Sequence, residues 1–222
     1  MTPVLISTPA PHSIEAFHPV AEFRSFRDPT PRNRRGMDPM NDEISIRSKR
    51  VHHVAYATRD PEATYEFYAN KLGMKLLRTE NHRQGDGYFR HFFFDMGGGE
   101  CLAFFVVHNV GEEPGFRTAI AVGNGLPVWV NHLAFALDTL EELELMKKRL
   151  RNRGVEEMTQ LDHGWATSLY LVDPNGIMVE FCVTTDAEHF LQTEQEALRL
   201  LRLPPDQIAE DTRKETSAAN RV

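Results

Sequence analysis

Two histidines and one glutamate stand in settings where metal ligation is the chemistry that suits them best. His53 lies in the run Val51, His52, His53, Val54, Ala55, Tyr56, Ala57, and His132 in the run Asn131, His132, Leu133, Ala134, Phe135, Ala136. If both runs are strands, alternation puts His53, Ala55 and Ala57 on one face of the first, and His132, Ala134 and Ala136 on one face of the second. Each imidazole then has only methyl groups beside it, as a strand needs where an ion and a small molecule approach the sheet. Neutral imidazole is also the commonest metal ligand. One such histidine is more simply a core residue bonded to a carbonyl, but two at equivalent places in a repeat favour ligation. Glu180 sits in Ile177, Met178, Val179, Glu180, Phe181, Cys182, Val183. A carboxylate in so apolar a run is costly to bury unless it is paired or metal-bound; otherwise it forms a salt bridge or faces water on an edge. Two imidazoles and one carboxylate leave several coordination positions open, which suits non-haem Fe(II), with Mn(II) as the alternative.

The elements that must position these groups form a repeat. A strand over Val51 to Thr58 leads to Asp60 as N-cap, Pro61 at the first helical position, and a helix carrying Phe67, Tyr68 and Leu72 that Gly73 closes. The second unit has the same plan: a strand over Asn131 to Leu137, Thr139 and Glu142 as a capping box, and Leu143, Met146 and Leu150 at helical spacing up to Gly154. Each unit continues into two further strands, near Tyr88 to Phe94 and Cys101 to Val107, and near Ser168 to Val172 and Ile177 to Val183, with one more strand expected in each. The connecting turns are Gly97, Gly98, Gly99 and Asp173, Pro174, Asn175, Gly176. An amphipathic helix holding Phe190, Leu191, Ala197, Leu198, Leu200 and Leu201 then runs to Pro204 and Pro205, and the polar residues after about Asp211 read as a frayed tail. The divisions that follow are a flexible, proline-rich arm over 1–46, a central domain over 47–185 with units at about 50–110 and 128–185, and a C-terminal helix and tail over 186–222.

A net charge of -7 argues against nucleic acid as the partner, because proteins that neutralise phosphates carry surplus Lys and Arg. Two cysteines, Cys101 and Cys182, do not make a secreted disulfide framework. With no leader-like N-terminus and no run of membrane-spanning length, a cytoplasmic location is expected.

The runs around His53, Asp60, Phe67, Tyr68 and Leu72–Gly73, with Asn131 to Phe135 and Asp173 to Glu180, resemble the glyoxalase/bleomycin-resistance/dioxygenase, or vicinal oxygen chelate, superfamily over about Val51 to Val183. That resemblance implies an α+β fold of paired βαβββ modules forming a curled, partly open mixed barrel around a metal site. His163, Leu169, Tyr170, Asp173, Pro174, Gly176 and Glu180, at their spacing, resemble the signature of type I extradiol ring-cleavage dioxygenases. Leu161 departs from it, where Gly, Asn, Thr, Ile or Val is preferred. The chain also has one double module where many members have two, so the pocket is either more open or completed by a second subunit, and a homo-oligomer is expected. By position, the resemblance makes His163 and Tyr170 the catalytic residues that hydrogen-bond the substrate oxygen. His91 and His108 fall between the two metal histidines, but neither aligns with the family's acid/base histidine.

The leading expectation is therefore cleavage of a catechol-like aromatic diol with O2, using Fe(II), or Mn(II), held by His53, His132 and Glu180. Phe92, Phe93, Phe94, Phe104 and Phe105 are candidates to line a pocket for a flat ring, although most such residues are core. The alternatives are an isomerase or lyase of the glyoxalase or epimerase kind, and a metal-free binding protein like the drug-resistance members. The glyoxalase branch usually adds a carboxylate from the last strand of the first module. Here the nearest carboxylate is Glu100, at the start of that strand.

Overall fold

The structure, a computed structural model, describes residues 50–208 and, as backbone, 214–215. All of these belong to the unit that begins at Arg47. The arm expected over 1–46 and most of the tail beyond Asp211 lie outside the described residues.

The first module runs β1 (His53–Ala57), α1 (Pro61–Tyr65) with a π-helical continuation Glu66–Leu72, β2 (Leu76–Gln84), β3 (Gly87–Asp95) and β4 (Cys101–His108). Asp60 caps α1 by accepting from the Ala63 amide, with Pro61 following at the first helical position. Gly73 closes the π-helical turn at φ 89°, a left-handed conformation that glycine adopts without steric cost. A linker holding the short helix α2 (Ile120–Gly123) leads to the second module: β5 (His132–Ala136), α3 (Leu140–Asn152), β6 (Thr159–Asp162), β7 (Ala166–Val172) and β8 (Met178–Thr184). Thr139 caps α3 through the Glu142 amide, while the Glu142 carboxylate accepts from the Asp138 amide. The C-terminal helix expected as one piece is two, α4 (Ala187–Phe190) and α5 (Glu194–Leu201), because Asp186 and Thr193 each cap a fresh start. A two-residue strand β9 (Lys214–Glu215) pairs with β6, within the stretch expected to fray.

The modules build one sheet each, in the orders β1-β4-β3-β2 and β5-β8-β7-β6-β9. Both are mixed, since β1 is parallel to β4 and β5 to β8, while the remaining pairs are antiparallel. This is the α+β arrangement of paired modules, with the two sheets not closed into a barrel; β1 and β5 are both edge strands. The strands missed by pattern alone, β2 and β6, are largely polar and lack an alternating apolar face.

Period-two alternation separates two faces on each sheet. In the first, Phe92, Phe94, Leu102 and Phe104 face Phe67, Tyr68 and Leu72 in the core, leaving His53, Phe93 and Phe105 on the opposite face. In the second, Phe135, Leu169, Val179 and Phe181 share the core with Leu143 and Leu150 of α3. Burying each such side chain contributes roughly 1.5–3 kcal/mol.

A buried polar lock joins the modules. Tyr68 donates its hydroxyl hydrogen to Asp173 Oδ2 (3.0 Å), and Asn175 Nδ2 donates to the same oxygen (3.0 Å) and to Thr64 Oγ1 (3.2 Å). Asp173 Oδ1 also accepts from the Asn175 and Ile177 amides. Next to them Gly176 (φ 75°) sits where a Cβ would lie 2.6 Å from that of Ala119 in the linker, so this turn and the linker approach too closely for any side chain.

Candidate metal centre

The parallel pairs put the candidate ligands in register. His132 lies opposite Met178, so two residues on Ala134 lies opposite Glu180, with Tyr170 of β7 on the far side of Glu180. In the first sheet His53 lies opposite Cys101, and Ala55 opposite Ala103. The β4 residue equivalent to Glu180 is therefore Ala103, a methyl group. Glu100 precedes the strand and pairs with Arg50 at 3.6 Å. Among the described residues the two modules thus place a candidate carboxylate at this register position in the second sheet and none in the first.

Glu180 is 6% exposed, with a partner on each oxygen. Oε1 accepts from the Tyr170 hydroxyl (3.0 Å), and Oε2 lies 3.1 Å from His132 Nε2. His132 Nδ1 is 2.8 Å from the Trp129 carbonyl, which can only accept, so Nδ1 carries the hydrogen. In the neutral ring the Nε2 lone pair then points at a carboxylate oxygen, and two lone pairs at this distance require positive charge between them, either a proton or a cation. That is the donor chemistry of a divalent-metal site, and these two residues fit it.

Tyr170 has one hydroxyl hydrogen, directed to Glu180, so the 2.9 Å contact from His163 Nε2 is a donation from the imidazole to the phenol oxygen. A directed line His163, Tyr170, Glu180, His132 results. Burial first, and then the Glu180 carboxylate, push the Tyr170 phenol up to about 12, so it stays a donor at neutral pH.

His53 does not join this line within the chain. Its Nδ1 is 2.8 Å from His52 Nδ1, and its ring neighbours are His91 (6.1 Å between centroids) and Phe93 (5.7 Å). Among the described residues no group of three or more His, Cys, Asp or Glu side chains is placed to hold a metal ion. The structure thus brings His132 and Glu180 together and places His53 on the sheet of the other module, beside His52, His91 and Phe93.

Sequence reading missed the Trp129 carbonyl that sets the His132 tautomer, since a backbone acceptor leaves no side-chain pattern. It also gave no role to His91, whose ring stacks on Phe105 (3.7 Å) and whose buried Nε2 has no hydrogen-bond partner. Burial first, and then the nearby His53, bring it down to about 4, which keeps it neutral. Both cysteines are free thiols. A cavity of about 1030 Å³ opens beside the line, bordered by Trp129, His132, Met158, Leu161, His163 and Tyr170.

The model of the Glyoxalase/Bleomycin resistance protein/Dioxygenase superfamily matches residues 50–181. The chain belongs to this superfamily. Among its curated relatives, Biphenyl-2,3-diol 1,2-dioxygenase 3 of Rhodococcus globerulus is 42% identical over 64 residues, 26% of this chain and 34% of that protein. A second dioxygenase of that organism is likewise matched over only 35% of its length, so this chain spans about a third of these enzymes. Lactoylglutathione lyase of Pseudomonas aeruginosa is 27% identical over 144 residues, 58% of this chain and 78% of the lyase. Among solved structures, a glyoxalase/bleomycin resistance protein/dioxygenase from Nocardioides aligns with 24% identity and a TM-score of 0.44, over 68% of this chain and 93% of that one. Superfamily membership covers both lyases and dioxygenases. No helix among the described residues is long and apolar enough to cross a membrane.

Proposed function

We propose that the chain is an extradiol-type dioxygenase that cleaves a catechol-like aromatic diol with O2, and that Fe(II), or Mn(II) as the alternative, is its metal. The observation that carries this reading is the hydrogen-bonded line from His163 through Tyr170 to Glu180, ending on His132. His132 and Glu180 would hold the metal with a histidine equivalent to His53 as third donor, and the bound metal would acidify the diol and pass its electrons to O2. Glu180 is kept in place by Tyr170, and His132 by the Trp129 carbonyl. His163 and Tyr170 hold hydrogens at Nε2 and Oη beside the cavity, where they can bond to a substrate oxygen as it gains negative charge. Met158, Leu161 and Trp129 provide apolar surface for the ring. Replacing either His163 by alanine or Tyr170 by phenylalanine should leave iron content intact and lower kcat by about two to three orders of magnitude, because such hydrogen bonds act mainly in the transition state. Anaerobic loading with Fe(II), followed by oxygen uptake on a panel of catechols, measures this. Unchanged turnover in both variants would remove the reason for preferring ring cleavage.

The third donor on this reading is His53 of a second copy of the chain. Among the described residues both β1 and β5 are edge strands, and the exposed apolar residues Val51, Trp129 and Val130 flank the two histidines. His53→Ala and His132→Ala are each expected to be inactive, but a refolded mixture should regain activity, since a mixed dimer contains one intact site. No recovery on mixing would place the whole site in one chain or exclude His53.

A second reading, a lactoylglutathione-lyase-like isomerisation, is favoured by the greater share of the lyases that the chain spans. Ala103, at the position equivalent to Glu180, weighs against a fourth carboxylate donor. Turnover of a glutathione hemithioacetal, with no oxygen uptake on any diol, would reverse the preference.

A further inference from the structure

We propose that Phe190, which lies beyond the region matched by the superfamily, is a positioning residue for His163 and acts through Trp165. This rests on the functional reading above for His163. His163 occupies a tight turn: its amide donates to the Ala166 carbonyl (2.8 Å), and Gly164 takes a φ of 85°. The imidazole is therefore tethered at its backbone, while its ring is steered by what it packs on. Trp165 packs beside it, with ring centroids 5.9 Å apart and planes 30° apart. Phe190 in turn lies against Trp165 at 4.6 Å and 37°. The segment carrying Phe190 is attached to Trp165 at two points. The Thr185 and Asp186 amides both donate to the Trp165 carbonyl (2.8 and 3.0 Å), and Asp186 then caps α4, which ends on Phe190. Phe190 is 52% exposed and stands outside the hydrophobic core, and its ring packs on that of Trp165, so its contribution is better explained by the ring it steadies than by core formation. Removing it frees the indole to move, and the His163 Nε2 to Tyr170 oxygen contact loses its support on that side.

The test is a double-mutant cycle on the iron-loaded full chain, with 2,3-dihydroxybiphenyl as the diol. Phe190→Ala should lower kcat by about ten- to a hundredfold while KM and iron content hold, as expected for a displaced donor. Phe190→Tyr should restore the rate. In the His163→Ala background Phe190→Ala should cost nothing further, whereas a merely structural role would give additive losses. A second readout needs no turnover: the His163 ring resonances in a 1H–15N spectrum should broaden in Phe190→Ala and stay sharp in Phe190→Tyr. Additive losses, or His163 resonances unchanged in Phe190→Ala, would overturn the proposal. If the parent protein cleaves no diol, it is the functional reading that falls, and the ring spectrum decides the positioning role by itself.

Discussion

Glu180→Gln should leave a folded protein that takes up little iron and turns over at least about a thousand times more slowly. Glutamine keeps the size of the side chain and an oxygen able to accept from Tyr170, so the line to His163 survives. The charge is lost, and with it the counterpart to the proton or cation that lies between His132 and Glu180. Disturbing the groups that merely orient a metal ligand already costs about ten- to a hundredfold in affinity or activity, so removing one of the proposed ligands should cost more. Metal analysis after anaerobic loading, circular dichroism for the fold and oxygen uptake for turnover separate these effects. Full iron content in this variant would take Glu180 out of the donor set.

The largest effect on stability is expected at Asp173. Its side chain accepts from Tyr68, from Asn175 Nδ2 and from two backbone amides, all in a setting where Asp173 and Asn175 are each 5% exposed. Asp173→Ala leaves these donors buried without an acceptor, at a cost of about 3 kcal/mol or more and a fall of roughly 10 °C in Tm. The protonation of Asp173 also shapes stability. Burial, the largest influence, pushes its carboxyl above the ordinary carboxylate range, against the pull of the Ile177 amide, Asn175 and Tyr68. A group raised in this way contributes its full stability below its unfolded pKa and loses that contribution as pH rises through the folded value. Denaturant titrations should therefore show this loss in the parent protein on the rise out of the acid range, and Asp173→Asn, which does not titrate, should lack it. A parent profile that gains stability through that range from this group, judged by difference from the asparagine variant, would contradict the assignment.

The Asp173, Pro174, Asn175, Gly176 run shows how a motif can be legible while its role is not. By position it resembles part of a ring-cleavage signature, and by composition it is a turn. The hydrogen bonds of its side chains nevertheless go elsewhere than the His163 to His132 line. They hold the second module against Tyr68 and Thr64 of the first, more than a hundred residues earlier in the chain. Tyr170 and His163, from the same signature, do lie on the line.

What the sequence alone determined was local. Caps at Asp60 and Thr139, closure at Gly73 and the histidine faces of β1 and β5 follow from interactions within a few residues and from the two-residue period of a strand. The repeat of those features was enough to pair His53 with His132 and to mark Glu180. Only the tertiary structure decided which of the three meet. His132 and Glu180 come together because parallel pairing of β5 and β8 sets their register, whereas His53 lies on β1, in the sheet of the other module. Phe92, Phe94 and Phe104 went to the core, and Phe93 and Phe105 to the face of His53. The stack from Phe190 to His163 spans twenty-five residues or more of chain and has no periodic trace. Contacts between distant segments are chosen by the packing of whole surfaces, and no window of sequence contains both sides of such a choice.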